Sequence, residues 1–367
     1  MMRLLIVLLL LAAAAAAGNA QAGGFQLGIV NPTPVARAES TALGSTMQRY
    51  QLVWNSQRSF DGSLILAPDT RPVLAVALYR PTGGALPATQ AGRDLFAGWV
   101  RSVLERFPQI KDVIVGNEIA GASWPYYPAL LQTVAPLIHA FGARVIGPGA
   151  YPSRQIDSQQ PLIDAIAAAG PHLLDTWDMH GYRGHVAEVV QQVQRALGWP
   201  IPVWVSEDGV QSRPPPQFAN LYFGTVDSGW HGSEDEQAAE LALRMRIAYC
   251  AGASAWFNFL LRDEPNLVHW QSGLERPDGS HKPAFAAFAA TSRAIAEGRV
   301  DCASSPSPPG ASPGASSARR AHLPRGAAAF TASRRRARLP RGAAALTASQ
   351  RHARLPRGAE VLTWVYR

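Results

Sequence analysis

The sequence predicts an α/β protein of the (β/α)8 barrel class. Three observations carry that prediction. Strand-like and helix-like segments alternate from about residue 25 to residue 299. Eight of these segments read as short strands, and the third is nearly all apolar, as a strand buried on both faces is. The turn after the first strand is Asn31-Pro32-Thr33-Pro34. A doubly wound open sheet usually places a glycine-rich phosphate cradle there, and proline has no N–H to offer one.

The elements follow in order. Phe25 to Val30 is the first strand, and a short helix lies near Ala36 to Met47. Tyr50 to Trp54 is the second strand and Pro72 to Tyr79 the third, which is almost wholly apolar. Gly92 to Phe107 has helical spacing, with Leu95, Phe96, Trp99, Val103 and Leu104 on one face. The fourth strand, Asp112-Val113-Ile114-Val115, runs into Gly116-Asn117-Glu118. Helices at Tyr127 to Phe141 and Leu162 to Ala169 flank a fifth strand at Ala143 to Gly147. The sixth strand is Leu173 to His180, and Val186 to Leu197 is helical. The seventh, Ile201 to Glu207, again ends in a carboxylate, and a long loop runs from Asp208 to Gly232. Ser233 caps the next helix, with Glu234, Asp235 and Glu236 in its first turn, where the helix dipole favours acids. Ala253 to Leu260 is the eighth strand, and Pro283 to Glu297 the closing helix.

The ends of the chain differ from this pattern. Met1-Met2-Arg3, an apolar run from Leu4 to Ala17 and the small-x-small triplet Ala20-Gln21-Ala22 make a secretory signal peptide over residues 1–22. The run is shorter than the ~20 residues a membrane span needs. An exported, monomeric protein is expected, with the barrel over residues 23–302. Residues 303–318 read as a Ser/Pro/Gly/Ala linker. Residues 319–367 repeat Leu-Pro-Arg-Gly-Ala at 323, 339 and 355, a 16-residue period. Both a disordered basic tail and a small β module are open for that segment. Either could contact an anionic cell-surface polymer by charge.

The net charge of +8 belongs to this tail. From Ala303 onward there are twelve Arg, no Lys and one acid, which leaves 22 bases against 25 acids before it. A nucleic-acid partner for the main domain loses its support. The two cysteines, Cys250 and Cys302, fall near the ends of the last two helices, at the bottom of a barrel whose neighbouring helices run parallel. A structural disulfide is expected there; two separate buried thiols are the other reading.

Glycoside hydrolysis needs one protonated and one ionised carboxyl group. Glu118 and Glu207 stand at the C-terminal ends of the fourth and seventh strands, where a barrel of this class carries its active site. Asn117 offers an amide to a sugar hydroxyl. His180-Gly181-Tyr182 brings an imidazole and a phenol to the same rim, and Trp256-Phe257-Asn258 an indole and an amide. Aromatic rings suit the C–H faces of sugars, and polar groups suit their hydroxyls. Taken singly, His180 reads as a structural histidine and Trp256 as plain core. Asp178, Asp208, Asp263 and Glu264 read as loop or rim acids, with Asp208 able to touch the site. The nine histidines show no metal-ligand spacing, so no metal or other cofactor is expected.

The set Val-Gly-Asn-Glu at the fourth strand, His-Gly-Tyr at the sixth, Ser-Glu at the seventh and Trp-Phe-Asn-Phe at the eighth resembles clan A glycoside hydrolases. Families 5 and 39 are the nearest in pattern. Gly273 to Phe285 also looks like the turn before that clan's last helix. The resemblance spans residues 25 to 299. It implies a retaining attack on a β-linked oligo- or polysaccharide, with Glu118 as general acid and base and Glu207 as nucleophile. Tyr182 would tune Glu207 with His180 beside it, Asn117 would bind the hydroxyl next to the anomeric carbon, and Trp256 would floor the first subsite. Many members also hold the nucleophile with an arginine from an early strand, and Arg80, after the third strand, could substitute. A glycan-binding barrel without catalysis, or a barrel that displays an interacting tail, are the rival readings.

Overall fold

A computed structural model describes residues 24–31, 33–78, 86–119, 121–150, 159–182, 185–222, 232–265 and 271–303. The expected signal segment, Arg80, residues 304–318 of the linker and the repeat tail lie outside the described residues. No helix among the described residues is long and apolar enough to cross a membrane.

Eight parallel strands close into a barrel in sequence order. They are β1 (Gln26–Val30), β2 (Met47–Trp54), β3 (Arg71–Leu78), β4 (Asp112–Val115), β5 (Arg144–Ala150), β6 (Thr176–His180), β7 (Val203–Asp208) and β8 (Ala255–Phe259). Pairing of β1 with β8, from Gln26 opposite Ala255 to Val30 opposite Phe259, makes the closure. The α-helices among the described residues are α1 (Arg37–Leu43), α2 (Gln90–Arg106), α3 (Tyr127–Ala140), α4 (Gln160–Ala169), α5 (Val186–Leu197), α6 (Glu234–Cys250) and α7 (Pro283–Ala296). The (β/α)8 class read from the sequence is the fold observed.

Alternation along each strand divides the apolar residues into two layers. Outward-facing Leu74, Val76, Val113, Val115, Trp177, Val203 and Val205 pack against helix residues such as Phe96, Trp99, Leu131, Val190 and Leu241. Inward-facing Val30, Met47, Val73, Ala75, Ile114, Ile146, Trp204, Ala255 and Phe257 fill the barrel itself. Each large side chain so buried contributes about 1.5–3 kcal/mol. Phe257 fits because β1 offers it Gly28, where a Cβ would lie 2.2 Å from the ring.

The outer layer is irregular between β2 and β3. There the chain runs over residues 55–70 without a helix. Phe60, Leu64 and Leu66 of that stretch pack on the core in place of a helix face, with the Phe60 ring edge-on to Trp99 at 5.7 Å.

Charged groups seal the barrel at its bottom. Asp112, buried at the start of β4, pairs with Arg71 and, at 2.6 Å, with Arg144. The Arg144 guanidinium also lies 5.2 Å from the centre of the Trp204 ring. A Cys250–Cys302 disulfide joins the end of α6 to the chain beyond α7, as expected from the cysteine positions. Ser233 caps α6 by accepting the Glu236 N–H at 3.2 Å, while the Glu236 carboxylate accepts the Ser233 N–H.

Beyond β7 and β8, a buried ion pair ties the loops together. Lys282 Nζ lies 2.5 Å from Asp263 Oδ2, and both side chains are fully buried. Asp263 also accepts from the Tyr222 hydroxyl at 2.6 Å and the Gly273 N–H at 2.7 Å. Lys282 donates to Ser212 Oγ at 3.1 Å and the Gln271 carbonyl at 3.2 Å. Asp263 is therefore not the exposed rim acid that its sequence context suggests. Its removal from water is compensated by an ammonium and two neutral donors.

Candidate active site

The route to Glu118 starts at the end of β4. Gly116 takes a left-handed backbone (φ 99°), and Glu118 itself takes φ 50°, which an L-residue adopts only when its surroundings fix it. The fixing group is β5, whose Gly149 carbonyl accepts the Glu118 N–H at 2.8 Å. Gly149 is also left-handed (φ 57°), and a Cβ there would lie 2.9 Å from the Gly116 carbonyl oxygen and 3.2 Å from the Asn117 Cα. Only glycine brings the two strand ends this close. Gly149→Ala is expected to displace the Glu118 carboxyl and, on the hydrolase reading proposed below, to lower kcat by about 100-fold, the cost of a misplacement near 1 Å. Steady-state kinetics on any turned-over substrate, with a melting curve beside them, check this.

Glu207 reaches the site through a bulge in β7. In strict alternation Trp204 and Ser206 point inward, which would turn Glu207 toward the helices and Asp208 inward. The pairing instead shifts by one residue on both sides of β7. Val205 faces Met179 and Trp256, but Glu207 faces His180 and Asp208 faces Asn258. One extra residue re-aims the strand end. Glu207 joins the interior, and Asp208 faces the helix layer, where it meets Arg244 of α6. Asp208 does not line the site from within, as its sequence position allowed.

The Glu207 carboxylate is almost completely buried and doubly held. Arg49 Nη1 donates to Oε2 at 2.7 Å, and the Tyr182 hydroxyl donates to Oε1 at 2.7 Å. The other Arg49 amino group donates to Asn117 Oδ1 at 2.5 Å, so one guanidinium spans β4 and β7. His180, wholly buried, lies between the two acids. Its Nδ1 is 3.1 Å from Glu118 Oε1 and its Nε2 is 3.6 Å from Glu207 Oε2. Glu118 is the more open of the pair, with 24% of its side chain exposed against 4% for Glu207.

These neighbours set the protonation states. Burial works to raise the Glu207 pKa, but the His180 and Arg49 charges and the Tyr182 and Arg49 hydrogen bonds outweigh it, and the carboxyl lies below its ordinary value. Burial works to lower the His180 pKa, but the charges of Glu207 and Glu118 carry it above the ordinary imidazole value. The Tyr182 phenol is pushed well above its ordinary value by burial and then by the charge of Glu207. It is therefore a fixed proton donor at neutral pH.

Asn117, Glu118, His180, Tyr182 and Glu207 thus meet around one point. Trp256 does not join them. It is fully buried on the helix side of β8, its ring 6.0 Å from that of Phe288, and its indole N–H donates to Asp208 Oδ2 at 3.3 Å. The expectation that it floors a subsite is corrected: in β8 the inward residues are Ala255, Phe257 and Phe259. Asp178, read as a rim acid, is buried inside the barrel two residues before His180. Burial raises its pKa, against the pull of the His180 and Arg49 charges.

One oxygen each of Glu118 and Glu207 and a ring nitrogen of His180 lie within 4.8 Å of one another, a spacing that a metal ion could also bridge. The Arg49 guanidinium already occupies the Glu207 oxygen, and a divalent cation there would meet that fixed positive charge. The donor set fits an ion-paired carboxylate better than a metal centre.

Sequence reasoning missed Arg49. It lies in the first half of β2, which begins three residues earlier than the apolar run suggested. An arginine between Met47 and Gln51 breaks the hydrophobic pattern, which hides its place inside the barrel. An arginine at an inward position of a barrel strand is itself the signal that could have found it.

No protein-family model matches the chain, and no curated protein sequence matches it. Solved structures are similar to it in fold. One is a family 39 glycoside hydrolase from the gut symbiont Bacteroides cellulosilyticus, with 19% identity over 73% of this chain and 63% of that one, at a TM-score of 0.52. Another is an exo-β-1,4-mannosidase from an Opitutaceae bacterium, with 14% identity over 75% of this chain and 60% of that one, also at 0.52. A GH5_18 protein from Bifidobacterium longum subsp. infantis has 13% identity over 73% of this chain and 78% of that one, at 0.51. The chain thus spans less than two thirds of the length of the first two. At these identities the likeness establishes the barrel fold.

Proposed function

We propose that the chain is a glycoside hydrolase that cleaves a β-linked glycan with retention, and that its signal segment sends it out of the cell. One observation carries this reading: two carboxylates at the ends of β4 and β7 approach within 4.8 Å, and one of them is held ionised. Retaining enzymes keep their carboxyl groups about 5–5.5 Å apart, whereas inverting enzymes leave room for a water at ~6.5–9.5 Å.

In this mechanism Glu118 gives its proton to the glycosidic oxygen as that bond breaks. A Glu207 oxygen attacks the anomeric carbon and forms a glycosyl ester. Glu118, now a carboxylate, takes a proton from water as the water attacks, and Glu207 leaves as a carboxylate. Arg49 and Tyr182 keep Glu207 charged and aimed. His180 orients the Glu118 carboxyl, and Asn117, anchored by Arg49 through its oxygen, keeps its NH2 for a sugar hydroxyl.

The pH dependence follows from Glu207. Its carboxyl must be ionised to attack, and its pKa lies below the ordinary value. kcat/KM therefore holds as pH falls through the ordinary carboxylate range and drops only at the lowered pKa. Tyr182→Phe removes a hydrogen bond to the ionised form, worth about 1.5–3 kcal/mol. The acid limb is expected to rise by about one to two units, at 1.36 kcal/mol per unit; a kcat/KM profile of the variant checks it.

Screening the purified protein against a panel of aryl β-glycosides tests the reaction itself. Release of the aryl group on at least one sugar, with the anomeric configuration of the first-formed product retained, is the expected result. No release on any member, or release with inversion, counts against the reading.

A further inference from the structure

The end of β7 carries a second acid that the mechanism leaves unused. Asp208 follows Glu207 and, because of the bulge, points the opposite way into the helix layer, where it is fully buried. Three donors meet it. Arg244 Nη1 lies 2.9 Å from Oδ1, the Gly209 N–H 2.8 Å from the same oxygen, and the Trp256 indole 3.3 Å from Oδ2.

Arg244 does more than neutralise Asp208. From α6 its Nη1 also reaches the Tyr182 carbonyl oxygen at 3.4 Å, and its Nε donates to Glu240 one helical turn away at 2.9 Å. One guanidinium therefore touches both the residue after the nucleophile and the backbone of the tyrosine that hydrogen-bonds the nucleophile. Gly181 completes the link. Its N–H donates to the Glu207 carbonyl at 2.8 Å, and a Cβ there would lie 2.5 Å from Asp208 Oδ2. Gly181 and the Tyr182 carbonyl are thus linked to Glu207 and Asp208.

We propose that Asp208, Arg244 and Trp256 form a positioning clamp that sets the Tyr182 hydroxyl on the Glu207 carboxylate. Trp256, which sequence context offered as a sugar platform, serves as one jaw of the clamp. The catalytic consequence rests on Glu207 being the nucleophile; the effect on Tyr182 does not. Buried ion pairs add little net stability over apolar replacements, so a geometric task gives this one a reason to be at the site. The charges of Glu207, Glu118 and Asp208 raise the Tyr182 phenol, and the cationic groups beside it are Arg49, on the same Glu207 carboxylate, and His180, whose ring lies 6.2 Å from that of Tyr182.

The test uses Arg244→Met, Arg244→Lys and Tyr182→Phe, with Asp208→Asn as a second break in the clamp should Arg244→Met fold poorly. In Arg244→Met the acid limb of kcat/KM should rise as it does in Tyr182→Phe. The double variant should be no worse than Tyr182→Phe alone, and Arg244→Lys should recover part of the loss. A merely structural role would lower the melting temperature, leave the acid limb in place and give additive effects. Those results overturn the proposal. A second readout needs no substrate: the Tyr182 ring-carbon NMR signal, assigned by its loss in Tyr182→Phe. Its alkaline titration should fall by about one unit or more when the clamp is broken and the phenol leaves the Glu207 charge. Because Asp208→Asn also removes a charge that itself raises the phenol, the deciding variant is Arg244→Met: an unchanged or raised titration there overturns the clamp, whereas a protein that cleaves no glycoside but passes this test fails only as a hydrolase.

Discussion

Glu207→Ala is expected to remove turnover of every aryl β-glycoside, whatever its leaving group, by about four orders of magnitude or more. Without the carboxylate no oxygen stands ready to attack the anomeric carbon, and the positive charge of Arg49 is left in its place. Glu118→Ala should behave differently. A good leaving group needs no proton, so formation of the glycosyl ester from an activated aryl glycoside survives, while poor leaving groups lose their rate. Added azide should restore the second step of Glu118→Ala by taking the place of activated water, with a retained glycosyl azide as product. The same nucleophile added to Glu207→Ala should give the inverted azide. Equal losses for both variants across all leaving groups would mean that the roles are assigned wrongly.

The second large effect concerns stability. Lys282→Met is expected to destabilise the barrel by about 3–5 kcal/mol, because it leaves a fully buried acid without its countercharge. Burial already pushes the Asp263 pKa up, and Lys282 is the strongest influence that pulls it back. Adding Asp263→Asn should recover part of the loss, since an amide oxygen can still accept from Tyr222 and Gly273 without carrying charge. Urea denaturation followed by fluorescence measures both. A loss below about 1 kcal/mol for Lys282→Met would show that the loops after β7 and β8 relax to let water reach Asp263.

The barrel was legible because buried parallel strands are nearly continuous runs of apolar, β-branched residues, and Leu74 to Leu78 or Val113 to Val115 admit little else. The two glutamates were legible because each ends such a run abruptly. What the sequence left undetermined is facing, which depends on register: Trp256 lies on the helix side of β8 and not in the site as read, and one bulged residue in β7 decides that Glu207 and not Asp208 enters the barrel. Such a bulge leaves no mark in the composition of Val-Trp-Val-Ser-Glu-Asp. Arg49 was hidden for a related reason: inward charge in a barrel strand is tolerated only against a partner such as Glu207, 158 residues away in the chain. Asp263 likewise reads as a loop acid until Lys282 folds over it.

The most direct test of the account is to look for the glycosyl ester on Glu207. An activated 2-deoxy-2-fluoro β-glycoside of a sugar that the panel shows to be cleaved slows the second step more than the first, so the ester accumulates. Mass spectrometry of the intact protein should show the mass of one fluoroglycosyl group, and proteolysis should place it on the peptide that contains Glu207. Turnover of the parent glycoside with no covalent adduct, or an adduct on a residue other than Glu207, would contradict the double-displacement mechanism.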